Sequence, residues 1–414
     1  MTPTLRRILL IAAFVLVTLA FFYVIYLVFF KPTPIVPVNN GVGNVNGLPT
    51  VGNGNVNRVG LPNANALPIV NAVPPGQQPS NVAEGGLTIT DTVVPGASSD
   101  LTVGGKGLRF YDRDRGQFYE LSPDGTTKTL LTDDVYRSVS DIDWSPNGQQ
   151  AILSFPDNSK VLYDFEAKKQ TTLPRELNDF FFSPQSDQIV SKFLNPTNAD
   201  DQWLLVSRPD GSQSETVEHL GENASRVTTA WSPNNQIIAT YRRSTTGELS
   251  EIIFLGAKGE NFRSATIEGK GFTPLWSPDG RRLLYSAYSP NTNDNPHLYI
   301  MDGSPDSLGT NLVDLGLDTT ADKCAFSQSA YTIYCAVPYY LNAGSGPQPE
   351  LSAGVPDNIY RVDLLSGSAE IIARPVDRNG NQRFSAANLR LSPREDLLYF
   401  VDAATGTIQK IQLR

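Results

Sequence analysis

The stretch FTPLWSPDGRRLLYSAY, starting at Phe272 and centred on Trp276-Ser277-Pro278-Asp279-Gly280, decides the fold because it is not alone. The same plan recurs in DIDWSPNGQQAILSF from Asp141, NDFFFSPQSDQIVSKF from Asn178, VTTAWSPNNQIIATY from Val227, DKCAFSQSAYTIYCAV from Asp322 and NLRLSPREDLLYFVD from Asn388. Each copy reads as a short strand, a large apolar residue, Ser-Pro or a relative of it, a polar turn and a second apolar strand. The anchor positions Trp144, Phe182, Trp231, Trp276, Phe326 and Leu391 lie 38, 49, 45, 50 and 65 residues apart. A degenerate seventh copy precedes them: GLRFYDRDRGQFYELS from Gly107 aligns with DLLYFVDAATGTIQKIQL from Asp396, Asp112 with Asp402 and Gly116 with Gly406.

A second turn follows each first hairpin, at Ser122, Glu166, Arg208, Gly256, Asp302 and Ser366. Four short strands per unit at a period of 40–50 residues predict an all-β fold, a β-propeller. The turn chemistry supports this. Pro presets φ, Asp or Asn bonds its own backbone, and Gly accepts the left-handed geometry that closes the turn. The large residue before each turn is placed to fill the wedge between neighbouring blades. The last unit supplies only three strands, and LTITDTVV from Leu87 is placed to add the fourth and close the ring. Seven blades follow if the degenerate first unit is complete, the reading favoured here; six is the alternative, if it merges with the last.

The blades resemble those of TolB-like propellers, which carry a Trp-Ser-Pro-Asp-Gly signature. Trp276 to Gly280 matches it fully, and Trp144 to Gly148 and Trp231 to Asn235 match nearly. The resemblance spans roughly residues 100–414 and implies the fold more than the function, since such blades serve binding proteins, surface proteins and the lid domains of oligopeptidases. WD-repeat propellers fit less well, because no Gly-His pair precedes a Trp. The sequence departs from TolB itself by lacking the globular domain before its propeller and by its N-terminus. There, residues 8–30 form an apolar run without charge, Pro or Gly, long enough as a helix to cross a bilayer. Arg6 and Arg7 before it and a single Lys31 after it place residues 1–7 in the cytoplasm and the rest outside. The run ends Val-Phe-Phe-Lys-Pro rather than in small residues, so an uncleaved transmembrane signal anchor is expected rather than a cleaved signal peptide. Residues 31–86 read as a disordered linker: 32–86 hold 11 Asn, 9 Gly, 9 Pro and 10 Val with only Arg58 and Glu84 charged. The propeller, 87–414, is therefore expected on the extracytoplasmic side of a cell membrane, tethered by a single pass.

The 414 residues carry 33 Lys+Arg against 42 Asp+Glu. Segment by segment, residues 1–86 hold four basic groups and one acidic, so the propeller stands at −12. That charge argues against nucleic acid and favours a cationic over an anionic partner. With two His, two Cys and two Met in the whole chain, zinc clusters and disulfide scaffolds lack material; no metal and no cofactor is expected. No G-x-S-x-G elbow occurs. Gly104-Gly105-Lys106 and Gly269-Lys270-Gly271 lack the spacing of a phosphate loop, and Asp112-Arg113-Asp114-Arg115-Gly116 lacks the third acidic ligand of a calcium loop. His219 and His297 fall in separate blades without an obvious partner.

In a propeller, turns joining strands 1–2 and 3–4 emerge on one face, the remaining loops on the other. The first set is short throughout and reads as structural. The second carries insertions at 194–202, 242–250, 289–296 and above all 338–358, beside the inter-blade loop 374–386. The binding surface expected there includes Trp203, Arg242, Arg243, Asp294, His297, Tyr339, Tyr340, Arg378 and Arg383, with ordinary solvated loops as the plainer reading. Cys324 and Cys335 flank a hairpin. With Ser329 and Ala330 at its tip they fall opposite each other, where a disulfide could form; two small buried thiols are the other reading. The expectation is a non-catalytic module binding a protein, peptide or cell-envelope polymer. The alternative is a propeller lyase, lactonase or glycosidase using carboxylates at the channel mouth, where the inner strands show mainly Thr, Phe, Leu and Ala.

Overall fold

Each repeat builds one sheet, and seven sheets form the ring, six of four antiparallel strands and one of five. The computed structural model describes residues 78–414 apart from 97, 105–106, 246–247, 261 and 382; the expected anchor at 8–30 and most of the linker lie outside the described residues. Blade 1 runs from Ser98–Gly104 to Lys128–Leu130, blade 2 from Asp141–Trp144 to Lys169–Leu173, and blade 3 from Leu177–Phe182 to Glu215–His219. Blade 4 runs from Val227–Thr229 to Ala265–Glu268, blade 5 from Lys270–Trp276 to Val313–Asp314, and blade 6 from Cys324–Phe326 to Ser368–Val376. Blade 7 holds Ala386–Leu391, Leu397–Asp402 and Ile408–Gln412. Among the described residues no helix is long and apolar enough to cross a membrane.

The closing segment does more than add one strand. Asp91–Val94 pairs antiparallel with the last strand, Asp91 opposite Lys410, completing blade 7. The residues just before it, Leu87–Ile89, pair parallel with Arg374–Val376 and give blade 6 a fifth strand. Residues 87–94 thus lace the two blades together, and Arg378 adds an ion pair to Asp91 at 2.6 Å.

The core is divided among the seams. Seven apolar clusters are present among the described residues, each built from two adjacent blades. The anchor residues occupy these seams: Trp276 packs against Ala230, Ile252 and Phe254 of blade 4 and donates its Nε1–H to the Ala230 carbonyl at 3.2 Å. Trp144 stacks on Phe165 and meets Phe118 of blade 1 edge-on. Phe182, Trp231, Phe326 and Leu391 occupy the corresponding seams with their preceding blades. A bulky ring at the wedge fills the space where two twisted sheets splay, and truncating a buried ring of this kind leaves a cavity costing about 3–5 kcal/mol.

A second device recurs on the innermost strands. The pairing register breaks at Asn178/Phe181, Lys270/Thr273 and Ala387/Arg390. At these breaks Asp179, Gly271 and Asn388 have φ of 51°, 68° and 51°. Asp, Asn and Gly are the residues that enter this left-handed region at least cost. Each is followed by a buried apolar side chain, Phe180, Phe272 or Leu389. Blade 1 shows the same break at Ser99/Thr102, with Leu101 buried after it. Such bulges re-aim the side chains that follow them.

Candidate functional site

On the loop-rich face, the longest insertion is fixed to its neighbour. Gly344 and Gly346 of blade 6 donate their amides to the carbonyls of Asn293 and Asp294 in the blade 5 loop, at 2.9 and 2.8 Å. The Ser345 amide reaches Asn295 Oδ1 at 3.3 Å. The blade 5 loop is itself preset, with Asn293 and Asp294 at φ of 55° and 53°. Gly346 must be glycine, because a Cβ there would come within 2.4 Å of the Tyr288 ring. The insertion therefore spans blades 5 and 6 as one rim, with Tyr340 54% exposed and Leu351 38% exposed on it.

Beneath the rim, charges are held in defined contacts. Lys323, at the entry to blade 6, donates Nζ to both carboxylate oxygens of the buried Asp357 at 2.7 and 2.8 Å. Asp357 also accepts the Ala386 amide of blade 7 at 2.6 Å. Burial pushes the Asp357 carboxyl up, and Lys323 pulls it back down. One carboxylate thus joins the turn that enters blade 6 and the first strand of blade 7 to the third strand of blade 6. The Arg383 guanidinium lies 4.8 Å from the Tyr339 ring centre, a cation–π contact that docks the inter-blade loop on the insertion. Burial raises the Tyr339 hydroxyl pKa, and Arg383 and Arg374 lower it in part.

His297 is enclosed by two carboxylates, Asp318 at 2.5 Å from Nδ1 and Asp314 at 2.6 Å from Nε2. Both nitrogens can donate only in the imidazolium form. Burial alone lowers the pKa, but the hydrogen bonds and charges of the two carboxylates outweigh it and hold His297 at about 9. The triad sits on the third and fourth strands of blade 5 and the loop leaving it, away from the inner strand Lys270–Trp276. It ties that loop down rather than meeting carboxylates at the channel mouth. The sequence reading of a partnerless His297 is corrected: its partners are 17 and 21 residues away, a spacing that carries no motif. His219 likewise has neighbours, the Trp203 ring at 4.6 Å and the Asp200 carbonyl at 2.5 Å.

Of the expected surface residues, Tyr339, Tyr340, Arg383 and Asp294 come together on the rim of blades 5–7. Trp203 lies on blade 3, donating to Asp201 at 2.8 Å. Arg242 and Arg243 lie on blade 4, where Arg243 pairs with Glu251. Arg378 is spent on Asp91 at the closure. Lys323, Asp357 and Arg374 belong to the rim and were not singled out from sequence. Cys324 and Cys335 face each other across the hairpin with their sulfurs 2.10 Å apart as a disulfide. The hairpin tip spans four residues, 328–331, between the paired Ser327 and Thr332.

The channel holds a separate feature. A cavity of about 370 Å³ is lined by the first strands of blades 7, 1, 2 and 3, including Thr102, Asp143, Phe181, Asn388 and Arg390. Pro146, in the first turn of blade 2, also lines it, which puts the cavity at the short-turn end. Phe181 is 41% exposed there, between the buried Phe180 and Phe182. The short-turn end, expected to be purely structural, therefore also borders a cavity with polar and aromatic groups. Among the described residues no three His, Cys, Asp or Glu stand together as metal ligands.

No family model matches the chain, and no curated protein matches it. Among solved structures it is similar to the β-propeller domain of Cps50 (Swd1) from Myceliophteria thermophila, at 14% identity and a TM-score of 0.54, covering 79% of this chain and 99% of that one. It is similar to the tricorn protease at 12% identity and a TM-score of 0.50, covering 81% of this chain; the likeness spans about a third of that protease, 34%. An oligogalacturonate lyase from Vibrio parahaemolyticus matches at 12% identity and a TM-score of 0.49, covering 78% of this chain and 93% of that one. The protein is a seven-bladed β-propeller. At these identities the likeness is one of fold.

Proposed function

We propose that this chain is a TolB-like propeller tethered to the extracytoplasmic side of a cell membrane, which captures a protein, peptide or envelope polymer on its loop-rich rim without catalysing a reaction. The observation that carries the reading is the fixed insertion 339–356, bound to the blade 5 loop by two backbone bonds and one to a side chain while Tyr340 and Leu351 stay exposed. A surface that is rigid below and apolar above loses little entropy on binding. The charged groups around it serve this arrangement: Lys323, Asp357, Arg383 and His297 each hold a loop in place. The −12 charge of the propeller favours a cationic partner.

The test uses the full-length protein in intact membranes with a photo-crosslinking amino acid at Tyr340, and in a second variant at Leu365, which is 73% exposed on a turn of the opposite face. Crosslinks to one partner from position 340 and none from 365 are expected. Replacing residues 340–355 by a short Gly-Ser turn keeps Tyr339 and Asp357 in place and should abolish that capture. Equal crosslinking from both faces, or capture that survives the replacement, overturns the reading.

A further inference from the structure

The short-turn end of the channel combines features that the rim does not explain. Four first strands border the cavity, and each stands at the end of its sheet, so one edge of its backbone is left without a neighbouring strand. Regular free edges would invite an extended peptide to pair as an added strand. Here three of the four are interrupted by bulges, at Ser99/Thr102, Asn178/Phe181 and Ala387/Arg390. A broken edge offers backbone donors and acceptors at isolated points rather than in a ladder. The occupant it suits is compact, with polar groups around its rim.

The side chains narrow the choice. Phe181 presents an aromatic surface, exposed between two buried neighbours as strand alternation dictates; the register break at Asp179 sets the phase, since Leu177 before it is buried and Phe181 after it is not. Thr102, Asp143, Asn388 and Arg390 come from three other blades and surround the same space. Asp143 and Arg390 offset each other in charge, so the cavity has no call for a strongly ionic ligand. At about 370 Å³ it lies at the small end of ligand sites. An aromatic face, hydroxyl, amide and charged groups on the opposing walls, and room for one or two rings match the chemistry of a sugar, whose ring has an apolar face and a girdle of hydroxyls. We propose that the turn-side half of the channel is a saccharide-binding site, with Phe181 as the stacking platform and Thr102, Asp143, Asn388 and Arg390 as its polar walls. Bulges in these strands then serve to aim the platform and to keep peptides from pairing there.

The test titrates purified full-length protein in detergent with glucose, galactose, N-acetylglucosamine and their β-linked tetramers, followed by ligand-observed saturation-transfer NMR and by the part of the Trp fluorescence that a Trp144→Phe variant, at the cavity wall, removes. Saturable binding of at least one sugar is expected, with a Kd on the order of 1 mM or tighter for a ligand of this size. Phe181→Ala should weaken it about 10-fold or more, while Phe181→Tyr, which keeps the ring, should hold it within about threefold. Thr102→Val, nearly isosteric, removes one wall hydroxyl and should weaken binding without altering the fold, read by circular dichroism. Equal affinity for a monomer and its tetramer marks the end of a polymer as the source, and binding of the monomer alone marks a free sugar. Absence of binding by all these sugars, an affinity unmoved by Phe181→Ala, or displacement of the bound sugar's signal only by a control pentapeptide Gly-Ser-Phe-Ser-Gly with higher affinity than any sugar overturns the proposal. None of these outcomes bears on crosslinking at Tyr340.

Discussion

In the first hairpin turns, at the short-turn end of the ring, a single hydroxyl is used six times, whereas at the loop-rich end almost nothing is used twice. Ser145, Ser183, Ser232, Ser277, Ser327 and Ser392 are all buried. Each accepts the amide of the residue five positions on, at 2.9–3.3 Å. In five of the six turns the hydroxyl donates to an Asn or Asp of the same turn, as Ser277 does to Asp279 at 2.7 Å; Ser327 pairs with Ser329 instead. At the other end, the His297 triad, the Lys323–Asp357 pair and the Tyr339–Arg383 contact each occur in one place. The hydroxyl turn closes the same first hairpin in every blade after the first, so it repeats. The ion pairs position particular loops, and no two loops have the same length or task.

That contrast can be broken most sharply at Asp357. Asp357→Ala leaves Lys323 without its carboxylate and the Ala386 amide without its acceptor, and should cost about 3–5 kcal/mol in denaturant unfolding. A loss under about 1 kcal/mol would mean that the loop end does not help hold the blades together. His297 comes next. Its folded pKa, about 9, lies above the ordinary 6.5, so its contribution is complete below pH 6.5 and is lost as the pH rises to about 9. The wild type should lose up to about 3 kcal/mol of stability across that window, and His297→Gln should remove that portion of the slope. A slope unchanged by the substitution would take the imidazolium out of the loop's anchorage. The smallest effect tests repetition itself. Ser277→Ala should cost about 1–2 kcal/mol, and Ser232→Ala the same within about 0.5 kcal/mol; values that differ widely would show that the turns are alike in shape only.

The same contrast explains what could be read in advance. Trp144, Trp231 and Trp276 recur before a turn signature, so their place in the seams was legible; seven blades were favoured over six, and the complete first sheet decides for seven. Residues 87–94 were legible as a closing strand but not as two half-strands, because nothing in LTITDTVV marks where it passes from one blade to the next. Tyr339 and Arg383 stood out by lying in long loops, and the fold brings them together. Lys323 and Asp357, 34 residues apart, leave no pattern. Phe181 was hidden for another reason. It is the middle of Phe180-Phe181-Phe182, where an alternating strand would bury one face and expose the next, and only the register break beside Asp179 shows which ring looks into the channel.

The lacing of residues 87–94 through blades 6 and 7 also sets an order of events in synthesis. Thr92 and its partner Gln409 are 317 residues apart, and at about 5–20 residues per second the ribosome needs roughly 15–60 s to span that gap. Over that interval blades 1 to 5 can form from neighbouring strands, but residues 91–94 have nothing to pair with until Ile408–Gln412 has been made. The segment made first is seated last, so the nascent chain carries an open ring with an unpaired strand at each end, the stage at which a second copy or a chaperone can reach it.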